Sequence, residues 1–180
     1  IDIKEVLPEE ITKAKNKAIE DFDFHHCWDV NPNLARTFQE LRHAWVILMR
    51  GHYVMKPKWL PDENDETELK LGARGRWTPH GYEETPEEAG DVSSPTPSQI
   101  CVRVLHIQGR RRKWRKFQVD VVAGFFNAIR RSERVGEDAK DIWIAEPPEL
   151  MREDGKQRFR RLLVEVPGTK GGPRSFYETM

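Results

Sequence analysis

The chain has 180 residues, of which 33% are charged and 37% hydrophobic, with 30 basic and 30 acidic side chains. That length holds one domain or one lobe of a larger one, and six Trp with eight Phe exclude a disordered chain. No apolar run approaches the roughly 20 residues that cross a bilayer, and two cysteines, Cys27 and Cys101, cannot build a disulfide scaffold. A reducing, intracellular setting (cytoplasm or nucleus) is therefore the expectation. The chain opens on Ile1 without an apolar signal segment, as a fragment or a processed piece would. The zero net charge hides an asymmetry. Residues 101–180 carry 18 basic and 11 acidic side chains, a balance of +7, and residues 1–100 carry 12 and 19, a balance of −7.

Along the chain, Pro8-Glu9-Glu10 followed by Ile11, Ala14, Ala18, Ile19 and Phe22 predicts an amphipathic helix with a favourable N-terminus. Asn31-Pro32-Asn33 breaks it. Leu34, Phe38, Leu41, Trp45, Leu48 and Met49 then recur at helical spacing up to Gly51 and predict a second helix. Tyr53 to Leu60 and Thr67 to Arg76 predict two extended segments joined by the acidic turn Pro61 to Glu66, together a β-hairpin. Residues 78–98 are proline-rich and predict an irregular connection. Ile100, Val102, Val104, Leu105 and Ile107 predict a further helix. Phe117–Val122, Ile142–Ile144 and Phe159–Val166 predict strands, and Pro173 to Met180 the first turns of a last helix. The chain divides into a helical segment (1–52), a hairpin with its connection (53–98), and a mixed segment (99–180).

Few clusters carry chemistry. His25-His26-Cys27 has no partner cluster at zinc-type spacing, and adjacent residues seldom all reach one ion, so it reads as a polar helix end. No P-loop, dinucleotide fingerprint or nucleophile elbow is present. Gly168 to Gly172 bends the backbone or lets it approach something closely. Arg110, Arg111, Arg112, Lys113, Arg115 and Lys116 surround Trp114; such a run holds phosphates and stacks a base, or is a solvated loop. Asp120 sits inside the apolar run Phe117 to Phe126. An acid there is either a strand-end cap or the ligand of a hard cation such as Mg²⁺.

Taken in order, six segments resemble the reverse transcriptase of copia-type long-terminal-repeat retrotransposons. Ala18 to Val30, ending Cys27-Trp28-Asp29-Val30, is similar to the family's helix and Thr-Trp-x-Leu-Val-like stretch. Lys58-Trp59 with Leu69 to Gly75 resembles its fingers hairpin. Gly81 to Thr85 with Ser94-Pro95-Thr96-Pro97 resembles its Asp-Tyr-x-Glu-Thr-Phe-x-Pro-Thr connection, here stretched. Phe117 to Asn127 is similar to the motif Asp-Val-Lys-x-Ala-Phe-Leu-Asn, which carries the first catalytic aspartate. Ile142 to Pro148 resembles Ile-Tyr-Met-x-Gln-Pro, and Pro167 to Glu178 resembles Tyr-Gly-Leu-Lys-Gln-Ala-Pro-Arg-x-Trp-Tyr-Glu.

The resemblance implies an α+β fold, the fingers and part of the palm of a right-hand polymerase, and RNA-directed DNA polymerisation on two Mg²⁺ ions. Its expected partners are an RNA template, a DNA primer and a deoxynucleoside triphosphate, with no membrane. It implies that Asp120 is the first metal-binding carboxylate and that the backbone carbonyl of Val121 is a further metal ligand. Phe125 would collide with a 2′-hydroxyl. Lys70 and Arg74 would hold the incoming triphosphate, and Gly168 to Pro173, Lys170 included, would pack on nucleotide and template. The sequence departs from the family at the acidic turn Asp62, Glu63, Asp65 and Glu66, at Glu68 and Lys70, and at Val122, Ala123 and Gly124. It contains no Asp-Asp pair, and the family's remaining polymerase palm, RNase H and integrase would lie outside it. The expectation is thus a fragment or divergent copy that does not polymerise alone; the alternative is a dead relic that acts as a nucleic-acid-binding or structural module.

Overall fold

The structure is a computed structural model. It describes residues 2–62, 67–93, 97–117, 121, 123–129, 133, 136 and 139–180. The fold is α+β. Helix α1 (Pro8–Phe24) begins where Pro8 at the first turn predicts. It buries Ala14, Ala18, Ile19 and Phe22 along one face. Residues 34–49 do not form the helix that their spacing predicts. They give a 3₁₀ turn (Pro32–Leu34), a two-residue strand β1 (Arg36–Thr37), a single helical turn α2 (Phe38–Leu41) and strand β2 (Val46–Met49). The contiguous apolar run Val46–Met49 fits a buried strand as well as a helix, and pairing with a distant strand decides the matter.

The hairpin is as predicted and longer. Strand β3 (Gly51–Pro61) pairs antiparallel with β4 (Leu69–Pro79) in unbroken register, from Gly51 opposite Pro79 to Pro61 opposite Leu69. Among its described residues the connection that follows holds a 3₁₀ turn (Gly81–Glu83) and the capped turn α3 (Pro86–Ala89). Helix α4 (Gln99–Arg111) is capped by Ser98, whose side chain accepts from the Cys101 N–H. Strand β5 (Asp141–Ala145) matches its prediction. Strand β6 (Arg158–Arg161) is shorter than predicted, because the chain bends away after the isolated bridge between Trp28 and Leu162. Helix α5 (Gly172–Thr179) follows the glycine-rich loop.

A four-stranded sheet runs in the order β1-β6-β5-β2, with β2 parallel to β5 and the other pairs antiparallel. The main core joins α1, β2, β5 and the end of β4 around Phe22, Trp28, Met49, Ile142 and Ile144. Trp28 is fully buried, donates its indole N–H to Asp23 Oδ1 at 2.6 Å, and lies 4.9 Å under the Arg160 guanidinium. Arg160 in turn donates from Nε to Glu146 Oε1 at 2.7 Å, both side chains being buried. Such a pair holds only as long as both members remain. A second, smaller core packs Val6 and Ala14 against Ala73, Met55 and Leu71, which fixes α1 along the hairpin.

Candidate functional site

The end of α1, strand β4 and residues 121 and 123–126 line a cavity of about 540 Å³. Alanines on the α1 face let β4 approach closely: a Cβ at Gly75 would come within 2.7 Å of the Ala14 carbonyl oxygen. Asp21, Phe22 and His25 enter the cavity from α1, and Arg74, Arg76 and Trp77 from β4. Val121, Ala123, Gly124, Phe125 and Phe126 form the facing wall, and Pro167 closes one side. Phe126 is locked in place by edge contact with Phe22 at 5.4 Å and by the tilted His25 ring at 5.3 Å. The wall turns sharply at Ala123, which holds a left-handed φ of 52° and accepts N–H bonds from Phe126 (2.8 Å) and Asn127 (3.2 Å). That conformation is costly for a residue with a Cβ.

Four of the six segments quoted for the resemblance, 18–30, 69–75, 117–127 and 167–178, contribute residues to this cavity. Phe125 packs on Phe176 of α5 at 5.3 Å, and a Cβ on Gly124 would lie 2.5 Å from the Phe176 ring. The Ile129 N–H donates to Thr179 Oγ1 at 2.9 Å. Gly168 has a φ of 110° and sits against Thr78, Pro79 and Gly81; a Cβ added at Gly81 would approach the Gly168 carbonyl oxygen to 2.1 Å. Lys170 donates its backbone N–H to Glu84 Oε2 at 3.1 Å, and its Nζ to the Glu84 carbonyl oxygen. Lys170 and Gly168 thus brace the loop against residues 78–84 and do not line the cavity. Arg74, Val121 and Phe125 do line it together. Lys70 does not; its Nζ lies 3.3 Å from Glu10 Oε1 in a neighbouring groove.

Asp120 lies outside the described residues, as do Val122 and the turn residues Glu63, Asp65 and Glu66. Among the described residues no group of three His, Cys, Asp or Glu could hold a metal ion. The described carboxylate on the cavity, Asp21, is engaged by Lys17 at 3.2 Å. The described residues therefore do not form a Mg²⁺ site by themselves. Cys27 is fully buried, and that burial, with Asp21 and Asp23 nearby, pushes its thiol up to about 12. Such a thiol is a core group and not a nucleophile. His26 follows the helix at a φ of 50°.

The basic run is exposed from Arg110 to Lys116. Arg110 and Arg111 close α4, where cations suit the helix dipole. Arg112 stacks over Trp114 at 5.5 Å, and Lys116 donates to the His106 carbonyl oxygen at 3.3 Å. Lys113 turns the chain at a φ of 55°, and Arg115 is exposed beside it. None of these side chains lines the cavity. Asp21, Trp77 and Phe126 do, and sequence reasoning did not single them out as site residues. Among the described residues no helix is long and apolar enough to cross a membrane. No protein-family model, no curated protein and no solved structure matches this chain.

Proposed function

We propose that the chain is the fingers and the first part of the palm of a copia-type RNA-directed DNA polymerase, and that its cavity receives a nucleoside triphosphate. One observation supports this most: Arg74, Val121 and Phe125, which the resemblance assigns to nucleotide and metal binding, line the same cavity though they come from segments about fifty residues apart. In this reading Arg74 meets the triphosphate with charge-assisted hydrogen bonds. Phe125, held by Phe176, limits the space beside the sugar and disfavours a 2′-hydroxyl. Asp120 and the Val121 carbonyl remain the candidate Mg²⁺ ligands by resemblance alone, and no chemical step is assigned to them.

Equilibrium binding of deoxynucleoside and ribonucleoside triphosphates tests the reading. Arg74→Ala is expected to weaken both about tenfold or more, the loss of a charged hydrogen bond. Phe125→Ala is expected to narrow the preference for the deoxy form. Equal binding by wild type and Arg74→Ala would overturn the assignment. The exposed basic run from Arg110 to Lys116, with Arg112 stacked over Trp114, favours one other reading, a nucleic-acid-binding module without catalysis. Salt-dependent binding to an RNA–DNA hybrid, with nucleoside triphosphates left unbound, would establish that instead.

A further inference from the structure

Away from the cavity, helix α4 and the segment after it contribute nothing to any core among the described residues. Every residue from Gln99 to Phe117 is exposed except Gly109. Gly109 is covered by its own continuation: a Cβ there would lie 3.4 Å from Lys116 Cε and 3.7 Å from Trp114 Cε3. The Trp114 N–H donates to the Gly109 carbonyl oxygen at 2.8 Å, and Lys116 Nζ to the His106 carbonyl oxygen at 3.3 Å. Residues 112–117 thus fold back on the helix end, and helix and hook form one unit.

The side chains of that unit sort by angle. At about 3.6 residues per turn, Arg103, His106 and Arg110 share one narrow polar stripe. Ile100, Val104 and Ile107 lie to one side of it, and Val102 and Leu105 to the other. Cys101 falls between these two groups, opposite the stripe. The apolar sector therefore covers more than half of the circumference, interrupted by Gln108 and, at the C-terminal end, by Arg111. Charge supplies a second, independent observation. Residues 99–117 hold seven Lys and Arg and no Asp or Glu, in a chain that balances 30 against 30 overall.

A partner for this unit must be apolar and anionic at once. A second copy of α4 meets the first demand and fails the second, because it brings two cationic hooks into one interface. A nucleic-acid backbone meets the second and leaves Ile100 and Leu105 in water. A groove in another protein must match the shape of the sector, and nothing in the unit specifies such a shape. The surface of an anionic bilayer asks only for what α4 has: an apolar side, a cationic side, and exposed aromatic rings beside the cations at Trp114 and Phe117. We infer that α4 and its hook bind the surface of a membrane rich in anionic lipid. The apolar sector enters the acyl boundary, and Arg103, Arg110 and the hook cations meet the headgroups. The helix is about 20 Å long, short of the roughly 30 Å hydrocarbon core, so it lies on the bilayer and does not cross it. The inference adds a partner that the family resemblance does not supply, and it is independent of the nucleotide cavity.

Cys101 provides the probe, since it is exposed at the middle of the apolar sector while Cys27 is buried. The full chain, carrying an environment-sensitive nitrobenzoxadiazole label on Cys101, is titrated with vesicles of phosphatidylcholine alone and of equimolar phosphatidylcholine and phosphatidylserine. The label is expected to brighten and shift to the blue with the phosphatidylserine vesicles and not with phosphatidylcholine alone, with affinity falling as salt rises. R110Q/R111Q should weaken binding about fivefold for each cation removed. L105Q/I107Q keeps every cation and should weaken it about tenfold or more. These side chains are exposed, and unchanged far-ultraviolet dichroism will show that the variants fold. No response to phosphatidylserine vesicles overturns the inference, as does equal binding to both vesicle types or an unchanged affinity in R110Q/R111Q. Salt-dependent binding that leaves the label in water and L105Q/I107Q unaffected also overturns it, since α4 would then be only a cationic patch. A blue shift that grows with protein concentration in the absence of lipid would assign the face to a second copy, and one produced by an RNA–DNA hybrid but not by vesicles would assign it to nucleic acid; either overturns the membrane assignment. Nucleotide binding by Arg74→Ala is read separately, so failure here leaves the polymerase reading standing, and failure there leaves this one.

Discussion

Helices α1 and α4 carry comparable apolar periodicity, and the molecule treats them in opposite ways. α1 buries Phe22 to 1% exposure and lays Ala14 and Ala18 against the hairpin. α4 buries only Gly109 and leaves Ile100 71% and Leu105 60% exposed. The difference lies in side-chain size and in what ends the stripe. The inner positions of α1 are small, so a strand can approach its backbone, and Gly75 removes the last obstacle on the strand side. The stripe of α4 runs Ile100, Val104, Ile107 and then Arg111, so it delivers a cation at the end of its apolar face. Periodicity therefore does not establish that a helix is covered, just as over residues 34–49 it does not establish a helix.

The strongest way to break this comparison is at the α1 end. Trp28 follows α1, is fully buried, and carries a hydrogen bond to Asp23 and the Arg160 guanidinium on its face. Trp28→Ala is expected to cost about 3–5 kcal/mol, the range for deleting a large buried aromatic. Urea denaturation would read it as a lower midpoint at unchanged slope. A loss under about 1 kcal/mol would mean that this core is not the molecule's centre of stability.

The same contrast explains how much the sequence revealed. α1, the hairpin and β5 were legible because each is specified locally: by Pro8 and the alanine face, by two extended runs around an acidic turn, and by a short apolar run. β2 was not legible. Its residues Val46–Met49 continue a helical spacing that begins at Leu34, and they become a strand only by parallel pairing with β5, some ninety-five residues later. A nonlocal pairing leaves no local mark. The cavity was half legible. Arg74 and Phe125 emerged through the family resemblance, whereas Asp21, Trp77 and Phe126 read as ordinary helix, strand and core residues.

A smaller effect comes from the two thiols. Cys27 is buried in the α1 core, and Cys101 is exposed on α4. Burial raises the Cys27 thiol to about 12, above its usual value near 8.5 in an unfolded chain. The folded state therefore holds a proton that the unfolded state releases. The resulting stability is present in full below about pH 8.5 and is lost as pH rises toward about 12, no more steeply than about 1.4 kcal/mol per pH unit. A thiol reagent at neutral pH should label Cys101 alone in the native chain and both cysteines in denaturant. Fast native labelling of Cys27 would show that the α1 core opens readily, and the contrast with α4 would lose its basis.

The smallest expected effect is the sharpest for α4. Leu105→Gln keeps helix propensity nearly constant and removes an apolar side chain that is 60% exposed. With little area to uncover, the change should lie within about 0.5 kcal/mol of wild type, as exposed sites do. The variant at Trp28, just past the end of α1, and this one in α4 would then differ by several kcal/mol, although sequence periodicity ranks the two helices alike. A measured loss above about 1 kcal/mol for Leu105→Gln would mean that α4 is covered in solution. Because the chain's own described elements do not cover it, the dependence of that loss on protein concentration would decide what does. A loss that grows with concentration points to a second copy of the chain, and a loss that does not change points to the α4 face closing on the chain itself. Either result would also bear on the basic run from Arg110 to Lys116, since it continues directly from the end of α4.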